Sequence, residues 1–158
     1  MSVRPYRVTR LLFWSLVAVA VVGVPGLAVA KPARTTSGVI YASANHVEGS
    51  DLYVSGDLKD KLLGRGAIVY VVQAESGPTP GSVLVKADKI TIYTTKGSLT
   101  GTGQAIQTFN SDGTSTISDG TYKLTKGTGA YKGHKLSGAF TGTFIEGVYT
   151  FNYTGKYK

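Results

Sequence analysis

Hydrophobic and polar residues alternate with a period of two along much of the chain, and this period is typical of β-strands. The pattern is clearest in Val148–Tyr157. There Tyr149, Phe151, Tyr153 and Tyr157 fall on one face, and mostly polar residues fall on the other. In the preceding segment, Leu136, Phe140 and Phe144 alternate with serine and threonine in the same way. Because a short turn joins the two segments, we expect both apolar faces to lie on one side of one sheet.

The same reading along the chain predicts eight strands and no long helix. Residues 59–65 are compatible with one helical turn or a loop. Eight evenly spaced strands favour a small closed antiparallel β-barrel, because closure removes exposed sheet edges. A β-sandwich is the alternative. The predicted strands are Gly38–Ala44, Asp51–Leu58, Gly66–Glu75, Ser82–Thr94, Ser98–Phe109, Thr114–Thr125, Leu136–Phe144 and Val148–Tyr157.

Two of these strands depart from simple alternation. Gly66–Glu75 is apolar on both faces, so we expect it either to be buried on both sides or to meet a partner subunit with its second face. In Ser82–Thr94 the alternation of apolar residues shifts by one position near Lys86–Asp88. Val83 and Val85 share one face, whereas strict alternation would put Ile90 and Ile92 on the other face. A β-bulge at this point would explain the slip.

The first thirty residues read as a targeting segment. Three arginines precede the apolar stretch Leu11–Val24, and Ala28-Val29-Ala30 supplies small residues for cleavage. This arrangement predicts a secretory signal peptide over residues 1–30 and a secreted or extracytoplasmic protein. The alternative is an uncleaved membrane anchor. Residues 31–37 are then expected to form a flexible leader, and residues 38–158 the barrel domain.

Composition narrows the classes of function. The chain has 158 residues, a net charge of +8 and no cysteine, which excludes disulfides and thiol chemistry. Without the three leader arginines, fourteen basic residues face nine acidic ones, a net charge of +5. The lysines are scattered and form no run, so nucleic acid is not an expected partner. The net charge is compatible with binding to an acidic surface but indicates no particular one. The sequence is also compatible with a homo-oligomer.

Few residues suggest catalysis or metal binding. His46 and His134 show no ligand spacing, so no metal and no cofactor are expected. Asp57 and Asp60 flank a lysine-rich turn and read as solvated surface charges. Asp88 interrupts an apolar strand, where it is either a buried acid with a raised pKa or, more simply, an outward bulge residue.

Aromatic residues are the best candidates for a ligand site. Tyrosine hydroxyls can orient a small apolar ligand in a cavity, although tyrosines can equally fill or coat a barrel. We predict that the ligand-binding residues are Phe140, Tyr149, Phe151 and Tyr153, which share the apolar face of the last two strands. The wider set of candidates is Tyr41, Tyr53, Tyr70, Tyr93, Tyr122, Tyr131, Tyr149 and Tyr153.

A glycine-rich motif resembles the signature loop of the allene oxide cyclase and dirigent-like barrels. It reads Gly-Thr-Gly-Ala-Tyr-Lys-Gly over Gly127–Gly133 and is followed by Gly138. Lys126 stands where a further glycine is usual, and His134-Lys135 replaces a pair of small residues. The resemblance implies a barrel fold, but it carries no catalytic residue to a position in this sequence.

Two hypotheses for function follow. The first is a secreted barrel that binds a small apolar ligand, or a surface partner, without catalysis. The second, implied by the resemblance, is an isomerase or cyclase that shapes an apolar substrate in the barrel cavity. The interior volume of the barrel and its lining are the observations that discriminate between them.

Overall fold

The computed structural model describes residues 32–158, which form a closed barrel of eight antiparallel β-strands. The prediction of an all-β antiparallel barrel is confirmed. A single turn of 3₁₀ helix at Gly129–Tyr131 interrupts the strand sequence. The strands are β1 (Arg34–Glu48), β2 (Asp51–Asp60), β3 (Gly64–Ser76), β4 (Ser82–Thr94), β5 (Gly97–Phe109), β6 (Ser115–Gly127), β7 (Leu136–Ile145) and β8 (Val148–Tyr157).

Every strand pairs with the next strand in sequence, and β8 pairs with β1 to close the wall. Alternate connections therefore lie at opposite ends of the barrel. One end carries the start of β1, the end of β8 and the β2–β3, β4–β5 and β6–β7 connections. We call it the closed end. The other end carries the remaining four connections, and we call it the mouth.

Side chains alternate between the barrel interior and the outer surface, as the sequence pattern predicts. In β7, Leu136 is buried and Phe140 is partly buried, whereas Thr141 and Thr143 are exposed. In β8, Tyr153 is buried and Asn152 is exposed. Phe140 pairs with Tyr153 across the two strands, so the aromatic faces of this hairpin coincide. The prediction that this face points inward is confirmed.

A bulge in β4 restores the inward phase of its hydrophobic residues. The register with β5 shifts between Ala87 and Ile90, at the position where the sequence pattern slips. Asp88 lies in this bulge and is exposed. The bulge is therefore confirmed, and of the two interpretations of Asp88 the outward one is correct.

The glycine loop, Gly127–Gly133, seals the closed end. Gly129 has a φ of 56°, in the left-handed region that glycine adopts without strain. This turn places Tyr131 in the interior, where the side chain is only 4% exposed. The Tyr131 hydroxyl lies 2.9 Å from Oγ1 of Thr94, and the backbone N–H of Ala130 donates to the carbonyl of Lys96 at 2.8 Å. Beneath the loop, Leu99 and Leu136 are fully buried and fill the barrel.

The structure corrects the start of β1 and decides between alternatives at two other places. β1 begins at Arg34 rather than Gly38, so Arg34–Ser37 belong to the barrel wall and pair with β8. Of the two interpretations of residues 59–65, the loop is correct, because residues 61–63 form a tight turn. Burial of β3 on both faces is wrong, because Val69 is 41% exposed, and a partner subunit on its outer face stays a prediction. The predicted signal peptide lies outside the described residues.

Candidate functional site

The mouth opens into an apolar cavity of about 320 Å³ that occupies the barrel interior above the filled closed end. Its volume lies in the range of small-molecule sites, and an eight-stranded barrel is wide enough for one small ligand. The described wall contains no Asp, Glu, Lys, Arg or His side chain. It is made mainly of β-branched and aromatic residues, among them Val54, Ile68, Val72, Val85, Ile90 and Ile117.

All four residues predicted as a ligand site line this cavity: Phe140, Tyr149, Phe151 and Tyr153. Phe151 links them. Its ring lies edge-on to Phe140 with centroids 5.5 Å apart, and nearly parallel to Tyr149 at 5.8 Å. Such contacts hold aromatic rings in defined orientations. The four residues thus form one continuous wall, and their role in binding stays a prediction.

A small polar group faces the cavity near the mouth. Burial raises the pKa of Tyr70 above its ordinary value of 10.0, and the nearby Tyr149 raises it further. Burial also raises the pKa of Tyr149, and a hydrogen bond with the Gln107 side chain offsets part of that effect. All three residues line the cavity. They offer neutral donors and acceptors to a ligand at neutral pH.

A second polar group marks the cavity floor. The Tyr122 hydroxyl donates to the backbone carbonyl of Thr154 at 3.2 Å, and its ring lies edge-on to Tyr153 with centroids 5.9 Å apart. Burial raises the pKa of both tyrosines. The Tyr153 hydroxyl donates to Oδ2 of Asp60 at 2.6 Å, so it is already engaged away from the cavity.

Asp60 is the main correction to the predicted chemistry. The sequence indicated a solvated charge, but Asp60 is only 8% exposed. Its two carboxyl oxygens accept from the Thr36 hydroxyl at 2.7 and 2.8 Å, and Oδ1 accepts from the backbone N–H groups of Leu62 and Leu63 at 2.6 Å each. Together with the Tyr153 bond, these contacts tie β1, β2, β8 and the β2–β3 turn together. Asp60 does not line the cavity, so its role is to brace the closed end.

The other tyrosine and histidine candidates lie away from the cavity. Tyr41 and Tyr93 are about half exposed on the outer surface, and Tyr53 stacks on His46 with centroids 4.3 Å apart. His134 stacks on Tyr157 near the closed end. Within residues 32–158, no group of three His, Cys, Asp or Glu side chains is placed to hold a metal ion.

Sequence reasoning missed Gln107 as a site residue and did not single out Tyr70 from the other tyrosines. Gln107 lies on the same inward face of β5 as the buried Leu99 and Ala105. Alternation from Leu99 therefore places Gln107 inside, and the signal was a polar side chain on the apolar face of the strand. The signal for Tyr70 was its position in β3 between Ile68 and Val72, which also line the cavity.

Charged residues are sorted between the two ends of the barrel. Every acidic residue within two positions of a strand end at the mouth, or in a connection there, belongs to what we call the acidic rim: Glu48, Asp51, Glu75, Asp112 and Glu146. By the same criterion, no Lys or Arg in residues 32–158 lies at the mouth, where His46 is the one histidine. Glu75 is paired with Lys86 at 2.6 Å, and the other four acids have no ion pair among the described residues, so a ligand that enters the cavity passes net negative charge.

No family model, curated protein or solved structure matches the chain. No helix in the described part of the chain is long and apolar enough to cross a membrane.

Proposed function

We propose that the protein is a secreted barrel that binds one small, uncharged apolar ligand in its cavity without catalysis. The observation that carries this proposal is the cavity of about 320 Å³, whose wall is apolar and bears only neutral polar groups. Transfer of apolar ligand surface from water into such a site is favourable, at roughly 25 cal/mol per Å².

The lining and the rim together define the ligand's chemistry. A carboxylate or sulfonate would lose its hydration without gaining a cationic partner, which is costly. The acidic rim adds repulsion on the way in. A ligand with one alcohol, ketone or amide group can instead bond to Tyr70, Gln107 or Tyr149. We therefore expect neutral ligands to bind in preference to anions of the same shape.

An isomerase or cyclase is the second hypothesis, and the resemblance of the glycine loop supports it. Proton transfer in such a reaction needs a side chain that can give or take a proton near the substrate. The raised pKa values keep the cavity tyrosines protonated, and the buried Asp60 is occupied by bonds behind Tyr153. These observations disfavour catalysis by proton transfer, whereas a cyclase that only shapes its substrate would use the same apolar cavity.

A matched pair of fluorescent probes tests the proposal. N-phenyl-1-naphthylamine is neutral, and 8-anilinonaphthalene-1-sulfonate has the same ring skeleton with a sulfonate added. We expect the neutral probe to bind in one-to-one stoichiometry with enhanced emission, to be displaced by decanol, and to bind at least tenfold more tightly than the sulfonate. Absence of saturable binding by the neutral probe would contradict the proposal. Equal binding of both probes would contradict the stated ligand class.

Two tryptophan substitutions on neighbouring residues locate the binding. Val85 lines the cavity, whereas the adjacent Leu84 points to the outer face of β4. Val85→Trp should fill the cavity and abolish probe binding, and Leu84→Trp should leave it unchanged. Thermal melts establish that both variants fold. Binding that survives Val85→Trp in a folded protein would place the site elsewhere.

Secretion is the remaining part of the proposal, supported by the arginine-rich start and the Ala28-Val29-Ala30 ending of the leader. Intact-mass measurement of protein from the culture medium should give a chain that starts at Lys31. Recovery of the full-length chain in the membrane fraction would instead indicate an uncleaved anchor.

A further inference from the structure

The closed end carries a ring of basic side chains that is the counterpart of the acidic rim. Each of them lies within two residues of a strand end at the closed end or in a connection there, and each is exposed. The only acidic residue that meets the same criterion is the buried Asp60. The basic ring consists of Arg34, Lys59, Lys61, Arg65, Lys96, Lys126, Lys132, Lys135, Lys156 and Lys158.

Among the described residues, no ion pair involves this ring, and the buried Asp60 is the one acidic residue at its end. The one ion pair within 4 Å among residues 32–158 joins Lys86 to Glu75, toward the mouth. Ten like charges around one end repel each other, and this repulsion destabilises the folded state unless a counter-charge is present. The remaining charges of the barrel wall, Asp57, Lys86, Asp88, Lys89, Asp119 and Lys123, sum to zero and lie between the two ends.

We propose that the closed end docks on an anionic membrane surface, with the mouth directed away from it. The basic residues come from five strands, three connections and the residue after β8, so they surround the end rather than line a groove. A ring of this kind complements a planar array of negative charges better than a single narrow polymer. The charge polarity also orients the barrel, because the acidic rim is repelled by the same surface.

The path of the chain supports a membrane as the partner. Residue 34 starts β1 at the closed end, and the apolar stretch Leu11–Val24 precedes it in the sequence. When that stretch engages a membrane, during export or as an anchor, the first barrel residues to follow it belong to the basic ring. This inference does not depend on a ligand in the cavity.

Vesicle flotation tests the proposal with residues 31–158, a compact unit whose sheet closes on itself. A thermal melt first establishes that this unit folds. We expect binding to vesicles that contain phosphatidylglycerol, weaker binding as salt is raised, and no binding to pure phosphatidylcholine vesicles. Equal binding to both vesicle types, or none to the anionic vesicles at low salt, would overturn it.

Two double variants with the same change in net charge separate the effect of charge in the basic ring from the effect of the protein's total charge. Lys132→Gln with Lys135→Gln removes two charges from the ring, and Lys89→Gln with Lys123→Gln removes two exposed charges from mid-barrel. Each charge held near an anionic surface accounts for about fivefold in affinity, so the first variant should bind roughly 25-fold more weakly. The second should lose less than about threefold.

Equal losses in the two variants would overturn the proposed orientation. Soluble polyglutamate serves as the competitor, because it offers negative charge without a surface. If polyglutamate binds the barrel more tightly than the anionic vesicles do, the partner is a linear polyanion and the membrane proposal is wrong.

Discussion

The two ends of the barrel are built in opposite ways. At the closed end, the glycine loop folds across the opening, Tyr131 enters the interior, and Asp60 gathers bonds from three other parts of the chain. At the mouth, the connections are short turns, and an apolar cavity begins directly below them.

This difference indicates how one small sheet combines stability with access. A closed barrel needs dense packing to fold, and it needs unfilled volume to bind a ligand. The chain separates the two requirements along the barrel axis. Substitutions at the closed end should therefore affect the free energy of unfolding, whereas substitutions near the mouth should affect binding with smaller effects on stability.

The largest expected effect is at Asp60. Asp60→Ala leaves the hydroxyls of Thr36 and Tyr153 and two backbone N–H groups without their acceptor. Each unsatisfied buried group costs about 1–3 kcal/mol, so the four together should cost at least about 4 kcal/mol in denaturant melts. The control is Asp112→Ala in an exposed turn at the mouth, which should lose much less. Equal losses would show that the closed end is not braced by Asp60.

A substitution between the two ends comes next. Phe140 contacts Tyr122 and Phe151 but borders the cavity on one side. Phe140→Ala should lower the free energy of unfolding by about 2–4 kcal/mol. This is less than the roughly 3–5 kcal/mol typical of a fully packed phenylalanine, because one side of the ring already borders the cavity. Thr141→Ala on the exposed face should cost well under 1 kcal/mol. Denaturant melts of both variants measure the difference, and a larger loss at Thr141 would mean that the assigned faces are reversed.

Two glycines with positive φ allow a direct comparison of the ends. A side chain at Gly129 would meet the carbonyl of Lys96, whereas one at Gly147, at the mouth, has no atom within 4 Å. Both Ala substitutions incur the strain of a left-handed residue, about 1–2 kcal/mol. Gly129→Ala should cost a further 1 kcal/mol or so for the collision. If thermal melts give the same loss for both, the glycine loop does not pack against the closed end as tightly as described.

The smallest effect concerns pH. Burial raises the folded-state pKa of Tyr70 above the ordinary 10.0 of an unfolded chain. The folded state then keeps a proton that the unfolded state loses, so the contribution of Tyr70 to stability is complete below about pH 10 and is lost as the pH rises toward the folded-state pKa. Tyr70→Phe should reduce that slope by about one proton, roughly 1.4 kcal/mol per pH unit. An unchanged slope in stability measurements across this range would show that Tyr70 is solvated.

The sequence was sufficient for the fold because the period of two is strong in most strands. Alternation in β7 and β8 placed Phe140 and Tyr153 inside, and the slip in β4 located its bulge. The cavity itself could not be predicted, since the interior volume depends on how eight strands curve together. Gly138 and Gly142 in β7 show the difficulty. They mark places where β7 and β8 pack closely, but they do not reveal how much volume remains in the barrel interior.

Asp60 was misread for a clear physical reason. Its neighbours Lys59 and Lys61 are exposed and typical of a solvated turn. Its partners Thr36 and Tyr153 lie 24 and 93 residues away in the sequence, so no local pattern contains them. The separation of charge, by contrast, could have been predicted from the sequence. Acidic and basic residues alternate from one connection to the next, and in an antiparallel barrel successive connections lie at opposite ends.

The pairing of β1 with β8 has a consequence for how the chain reaches its folded state. Seven of the eight strand pairings join neighbours in sequence, and these hairpins can form as soon as both partners are present. The eighth joins residues 34–43 to residues 148–157, so the sheet stays open until the last strand arrives. Until then β1 and β7 present unpaired backbone groups that invite pairing with other chains. The pairing of β1 with β8 is thus the folding step that removes the exposed strand edges through which the chain could aggregate.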